Sequence, residues 1–171
     1  MRQQPIRALE AFGSIDVLVN NIGADPVVGS ILALDLIAAG KAIEANCFAA
    51  ISWVQHVHKA WLGEHGGVIV NIASMAGLTP TPGLAFEGAT AAMLVHLTRE
   101  LAVELAPDIR VNAVAPPITR PRCAAAGVSG RATRTGELDE SGEISSVVAF
   151  LASAEAARLT GQVIAVQEQP W

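Results

Sequence analysis

Apolar and polar residues along this chain fall into blocks whose period changes from one block to the next. Residues 2–12 read as the tail of an amphipathic helix, closed by Gly13 as a C-cap. The short apolar run Ile15-Asp16-Val17-Leu18-Val19-Asn20 suits a strand buried on both faces of a parallel sheet. Residues 21–30 form a loop carrying Gly23, Pro26 and Gly29. A long helical pattern covers 36–62, with Asp35 as its N-cap and His65-Gly66-Gly67 as its stop. Gly40 weakens that helix by about 1 kcal/mol without overturning the pattern. A strand over 68–72, a second long helix over 88–105 ended by Pro107, and a strand over 109–114 follow. Residues 115–136 are irregular, rich in Pro, Gly, Ala and Arg. A short helix over 141–153, capped by Asp139 or Ser141, and a strand over 162–166 complete the pattern. Strands alternating with helices predict an α/β fold, a parallel sheet with helices on both faces. Neither an internal repeat nor a second domain is visible, so residues 1–171 are expected to form one domain.

Composition narrows the class. Hydrophobic residues make up 51% and charged residues 16% of the 171, which argues for large buried surfaces and against disorder. The formal net charge is −5 and the basic residues are scattered, so nucleic acid and anionic membrane are not expected partners. No apolar stretch approaches the ~20 residues a membrane-spanning helix needs. The opening MRQQPIRALE lacks the apolar run of a secretion signal. A soluble, cytoplasmic protein is the expectation. Cys47 and Cys123 lie far apart without metal-type spacing and read as free thiols.

The order of motifs is what gives the chain a lineage. Asp16-Val17-Leu18-Val19-Asn20-Asn21-Ile22-Gly23 is similar to a DVLVNNAG segment, and Val70-Asn71-Ile72-Ala73-Ser74 to a VNISS strand. Arg110-Val111-Asn112-Ala113-Val114-Ala115-Pro116 is similar to RVNAVAPG, and Leu159-Thr160-Gly161-Gln162 to ITGQ. With Asn46 in the long helix, this succession resembles the short-chain dehydrogenase/reductase family over essentially the whole chain. The resemblance implies a partial Rossmann-like, doubly wound parallel sheet of about four strands, the nicotinamide-side half, with flanking helices. It implies NAD or NADP as cofactor, and hydride transfer between it and an alcohol or carbonyl. Asn46 and Ser74 would be the inherited catalytic asparagine and serine. Asn20, Gly23 and Thr119 would be vestigial cofactor-binding positions.

Two other positions depart from the family. Its proton-donating tyrosine stands about thirteen residues after the serine, and a lysine that tunes the phenol and holds the nicotinamide ribose stands four further on. Here those places hold Glu87 and Ala91, inside Phe86-Glu87-Gly88-Ala89-Thr90-Ala91-Ala92-Met93-Leu94, which mirrors FYGASKAAL. A phenol of pKa near 10 can be tuned toward neutrality by a cation, whereas a glutamic acid of ordinary pKa near 4.3 is ionised at pH 7. The alternative for Glu87 is a solvated glutamate favoured by the dipole at a helix N-terminus. The family's Gly-rich phosphate turn has no counterpart ahead of the Asp16–Asn20 run, and the expectation is a domain that lacks the N-terminal phosphate-binding βαβ units. Pro117, Pro121, the 120–134 loop and Gln167-Glu168-Gln169 also differ from the family pattern.

Simpler roles compete at each remaining position. Ser74 could be a strand-end hydroxyl capping a loop, and Asn46 a helix polar group bonded to backbone. His56 and His58 point to nearly opposite sides of a helix, and His65 and His96 have no carboxylate or cysteine at ligand spacing, so no metal is expected. Ser74 lies in no GxSxG elbow, which removes a hydrolase triad. Trp53 and Trp61, on one helix face, suit core or interface packing. Two functions remain: an oxidoreductase of the family with impaired or lost activity, or a non-catalytic remnant. The remnant would associate as a homo- or hetero-oligomer through its long helices and an uncovered strand edge.

Overall fold

A computed structural model of the chain describes residues 3–21, 27–117 and 140–166. Helix α1 (Gln3–Phe12) ends where Gly13 takes a φ of +79° and donates its N–H to Leu9 O at 2.8 Å. Strand β1 (Val17–Asn20) follows. Asp35 caps the next helix as its sequence position predicts, Oδ1 accepting from Ile37 N at 2.9 Å. What reads as one helix in the sequence is a run of five segments. They are α2 (Leu36–Ile43), a π-helical turn (Glu44–Phe48), α3 (Ala49–Val57), a second π-helical turn (His58–Leu62) and α4 (Gly63–His65). Gly66, at φ +74°, then donates to Leu62 O and turns the chain into β2 (Gly67–Ile72). A Cβ at Gly66 would lie 2.7 Å from Asp108 O, so this stop needs glycine for space as well as conformation.

Helix α5 (Ala85–Glu104) begins three residues earlier than the sequence pattern suggests. Gly88 N already donates to Leu84 O at 2.8 Å, which places Glu87 inside the first turn rather than ahead of it. Strand β3 (Ile109–Ala115), helix α6 (Glu140–Ala152) and strand β4 (Val163–Ala165) complete the order. Asp139, one of the two caps suggested for α6, lies outside the described residues.

The four strands form one parallel sheet in the order β1-β2-β3-β4. Apolar side chains make two cores, one on each face. Val54, Val57, Leu62, Ala102 and Val111 pack with Ile69 on the side of the long helices, and half-buried Trp53 and Trp61 pack against them. Val68, Val70, Val114 and Leu151 meet under α6 on the other. The tryptophans are therefore core-packing residues, as their spacing suggests.

The strand that carries Arg110 and Asn112 fastens the far end of the sheet. Arg110 Nη1 donates to Leu151 O (2.9 Å) and Leu159 O (3.3 Å), and Nη2 to Ser153 O (3.1 Å). Asn112 Nδ2 donates to Leu159 O at 2.8 Å, and its Oδ1 accepts from Gln162 N at 3.0 Å. One cation and one amide thus satisfy carbonyls left open at the end of α6 and hold the approach to β4. Among the described residues, no helix is long and apolar enough to cross a membrane.

Candidate functional site

The C-terminal end of β2 delivers Ser74 to a short turn, and glycine decides where that turn sits. Ser74 Oγ accepts from Ala76 N at 3.2 Å and caps the 3₁₀ turn Met75–Gly77. Ala73 N donates to Val114 O (2.8 Å) and Met75 N to Pro116 O (3.0 Å), tying the turn to the end of β3. On its other side the turn presses on α5. A Cβ at Gly88 would lie 2.5 Å from Ala76 O, and one at Gly77 would lie 2.7 Å from the backbone of Ala91. Only glycine permits this approach, which locks Ser74's turn against positions 87–91. A further clamp comes from the loop after β1, where Gly29 N donates to Gly83 O at 2.9 Å just before α5 starts.

The long helix supplies the rest of the site through its first π-helical turn, which carries Asn46 and Cys47. Such turns re-aim side chains that a regular helix would place elsewhere. Asn46 Nδ2 donates to Thr90 Oγ1 at 3.2 Å, and Thr90 Oγ1 donates to Glu87 O at 3.0 Å. Cys47, fully buried, donates its Sγ–H to Thr90 O at 3.4 Å. Burial, and after it the negative charge of Glu87, pushes the Cys47 thiol above its ordinary pKa of 9.0. The thiol is therefore held protonated and unreactive at neutral pH.

Glu87 stands in the first turn of α5, the helix N-terminus where the sequence reading sets it. It is half-buried rather than fully solvated, and its charge reaches a buried thiol on the neighbouring helix. Ala91, one turn on, is 7% exposed and sits beside Gly77 with no polar side-chain atom. Ser74 matches the simpler role considered for it, capping a turn. Asn46 bonds a side-chain hydroxyl, a partner the sequence does not suggest.

Asn20 belongs to another network. It is 2% exposed and donates Nδ2 to Asn71 Oδ1 at 2.9 Å. Asn71 donates in turn to Thr98 Oγ1 (2.9 Å), and Thr98 to Leu94 O (2.8 Å). This buried chain joins β1, β2 and α5 below the site. Gly23 and Thr119 lie outside the described residues.

The structure adds Thr90, Cys47, Gly77 and Gly88 to the residues sequence reasoning singled out. Thr90 was legible as a polar residue one helical turn beyond Glu87; the close approaches of Gly77 to Ala91 and of Gly88 to Ala76 carried no sequence signal. His96 has a carboxylate at helical spacing after all: its Nε2 lies 3.3 Å from Glu100 Oε1, in an exposed pair one turn apart. No group of three His, Cys, Asp or Glu side chains is placed to hold a metal among the described residues.

Comparison with known proteins points one way. A family model described as enoyl-(acyl carrier protein) reductase matches residues 6–168. Dehydrogenase/reductase SDR family member 4 of Caenorhabditis elegans is 35% identical over 170 residues, covering 92% of this chain and 65% of the relative. Short-chain dehydrogenase/reductase SDRA of Arabidopsis thaliana is 32% identical over 168 residues, covering 94% and 65%. This chain therefore spans about two thirds of the length of those curated relatives, just under that share in each case. The solved structure of ElxO with NADP bound superposes with a TM-score of 0.82 at 26% identity, covering 96% of this chain and 71% of that one.

Proposed function

The chain belongs to the short-chain dehydrogenase/reductase family, and from that premise we propose that it no longer carries out the family's hydride transfer. The pair Glu87 and Ala91 supports this reading more than any other observation. The family's reaction needs a proton donor at the carbonyl and a cation that lowers the donor's pKa. Glu87 brings a negative charge, felt at Cys47, where a tunable phenol belongs. Ala91 brings a methyl group, buried against the turn of Gly77, where the cation and ribose ligand belong.

NAD or NADP, the family's cofactor, does not fit the donors present. Ala91 offers no donor to a ribose, Glu87 adds an anion beside a ligand that carries phosphates, and the Asn20 amide is already bonded to Asn71. No chemical step through a nicotinamide is therefore assigned to these residues. Ser74 persists as the cap of its turn, and Asn46 and Thr90 as a bond between the long helix and α5.

Oxidation of NADPH in the presence of a panel of ketones and aldehydes tests the proposal. The expected rate is that of the blank without protein. A turnover of about 1 s⁻¹, the low end of ordinary enzymes, would contradict it.

A second reading is favoured by the apolar surface: the chain acts by association, as a homo- or hetero-oligomer. Phe48 on the long helix and Val103 on α5 are exposed, as are Val17 and Val19 on β1. Such side chains on two long helices and a sheet edge suit contact with another chain.

A further inference from the structure

We propose that Thr90 decides where the long helix takes up an extra residue, and with it which way Asn46 faces. The inference holds whether or not hydride transfer is lost.

Burial shows that the extra residue is required. Within α2 and α3 the buried side chains recur every three or four positions, as at Ala39 and Ala42 and at Ala50, Val54 and Val57. Two steps are of five, Ala42 to Cys47 and Val57 to Leu62, and each spans one of the π-helical turns. In a regular α-helix a step of five swings a side chain about 140° off the buried stripe. A π-helical turn, bonded five residues apart, absorbs that swing. Ile43 and Ala45 are apolar too, so burial marks the step where the sequence pattern does not.

Packing on both sides thus demands one added residue between Ala42 and Cys47, yet it does not choose the position of the turn. Glu44 is exposed, and Ala45 and Asn46 are half-buried, so none of them anchors it in the core. A turn begun one residue earlier would still keep Ala42 and Cys47 on one face. The bonds to α5 make the choice. Asn46 Nδ2 donates to Thr90 Oγ1 at 3.2 Å and Cys47 Sγ to Thr90 O at 3.4 Å, so two successive side chains of the turn meet one residue. A thiol is a weak donor, which leaves the bond to the hydroxyl as the stronger of the two. Thr90 is 3% exposed, and its hydroxyl donates to Glu87 O at 3.0 Å, which fixes the lone pairs that receive Asn46. Moving the turn would break this bond in a place where it is costly to lose. Thr90 is therefore a positioning residue, acting through Asn46.

Scalar coupling across backbone hydrogen bonds, measured on the full chain labelled with ¹³C and ¹⁵N, tests the inference. The Ala49 N–H bonds to Glu44 O in the π-helical turn, and a regular turn at that point would bond it to Ala45 O. The native chain should show coupling from Ala49 to Glu44. Thr90→Val removes the hydroxyl and keeps the branched shape, and should shift that coupling to Ala45. Thr90→Ser restores the hydroxyl and should return it to Glu44. Coupling that stays with Glu44 in Thr90→Val, or that moves in Thr90→Ser, would overturn the proposal. Should Thr90→Val fail to fold, Asn46→Ala removes the other end of the bond and carries the same expectation. The second turn serves as reference, with the Gly63 N–H bonded to His58 O. That coupling should persist in every variant, and its loss alongside the first would overturn the assignment of Thr90 to the first turn.

Discussion

Asn71 holds more of this molecule together than its size suggests. Its amide receives Asn20 and donates to Thr98, so three buried polar groups on β1, β2 and α5 are satisfied by one another. Asn71→Leu strands the Asn20 donor in the interior, and a cost of about 2 kcal/mol in urea unfolding is expected. Gly88→Ala acts by a different route. Its new Cβ would meet Ala76 O at 2.5 Å, a backbone atom with little room to yield, and a loss of about 1–3 kcal/mol is expected by the same measurement. Cys47 sets a pH dependence. Its folded pKa lies above the ordinary 9.0 because it is buried and faces Glu87. Well below pH 9 the thiol is protonated in both folded and unfolded chains and contributes no slope. Above it the unfolded chain releases the proton first, so stability falls as pH rises further. Urea titrations between pH 8 and 10.5 should show that decline, and Cys47→Ala should lessen it.

At the scale of elements, Arg110 is the place to test how the sheet's far end is held. Arg110→Met removes donors from Leu151 O, Ser153 O and Leu159 O together. The expected loss is about 2–3 kcal/mol, with faster amide exchange at the end of α6 and in β4 and little change in β1. Much of this architecture could be read from the chain. The runs around 15–20, 68–72 and 109–114 announce buried parallel strands because they are short, apolar and bounded by turn residues. Asp35, Gly13 and Gly66 announce helix ends because capping and left-handed backbone are local chemistry. The two π-helical turns were not legible, since an added residue in a helical turn leaves the apolar pattern nearly unchanged. The early start of α5 was missed because Gly83-Leu84 sets it through backbone geometry rather than through a capping side chain. At the candidate site, Ser74, Glu87 and Ala91 were singled out by the spacing that the family resemblance implies, and the fold sets the turn capped by Ser74 against the first turns of α5. Contacts between elements distant in sequence, Asn46 with Thr90 and Gly77 with Ala91, needed the fold.

Across the whole molecule, the sheet is covered unevenly. Among the described residues its middle strands are buried between α6 on one face and the long helices on the other, while Val17 and Val19 of β1 are partly exposed. On the proposed reading, Glu87 and Ala91 stand where the family's proton donor and its cation would be, beside the turn that Ser74 caps and the bond from Asn46 to Thr90. A chain of that kind should fold cooperatively and yet ignore the family's cofactor. Titration calorimetry of the full chain with NADPH tests that most directly. The account predicts no measurable heat of binding up to about 1 mM, where even a weak site of about 4 kcal/mol would be half filled. A saturable isotherm with micromolar affinity would contradict it.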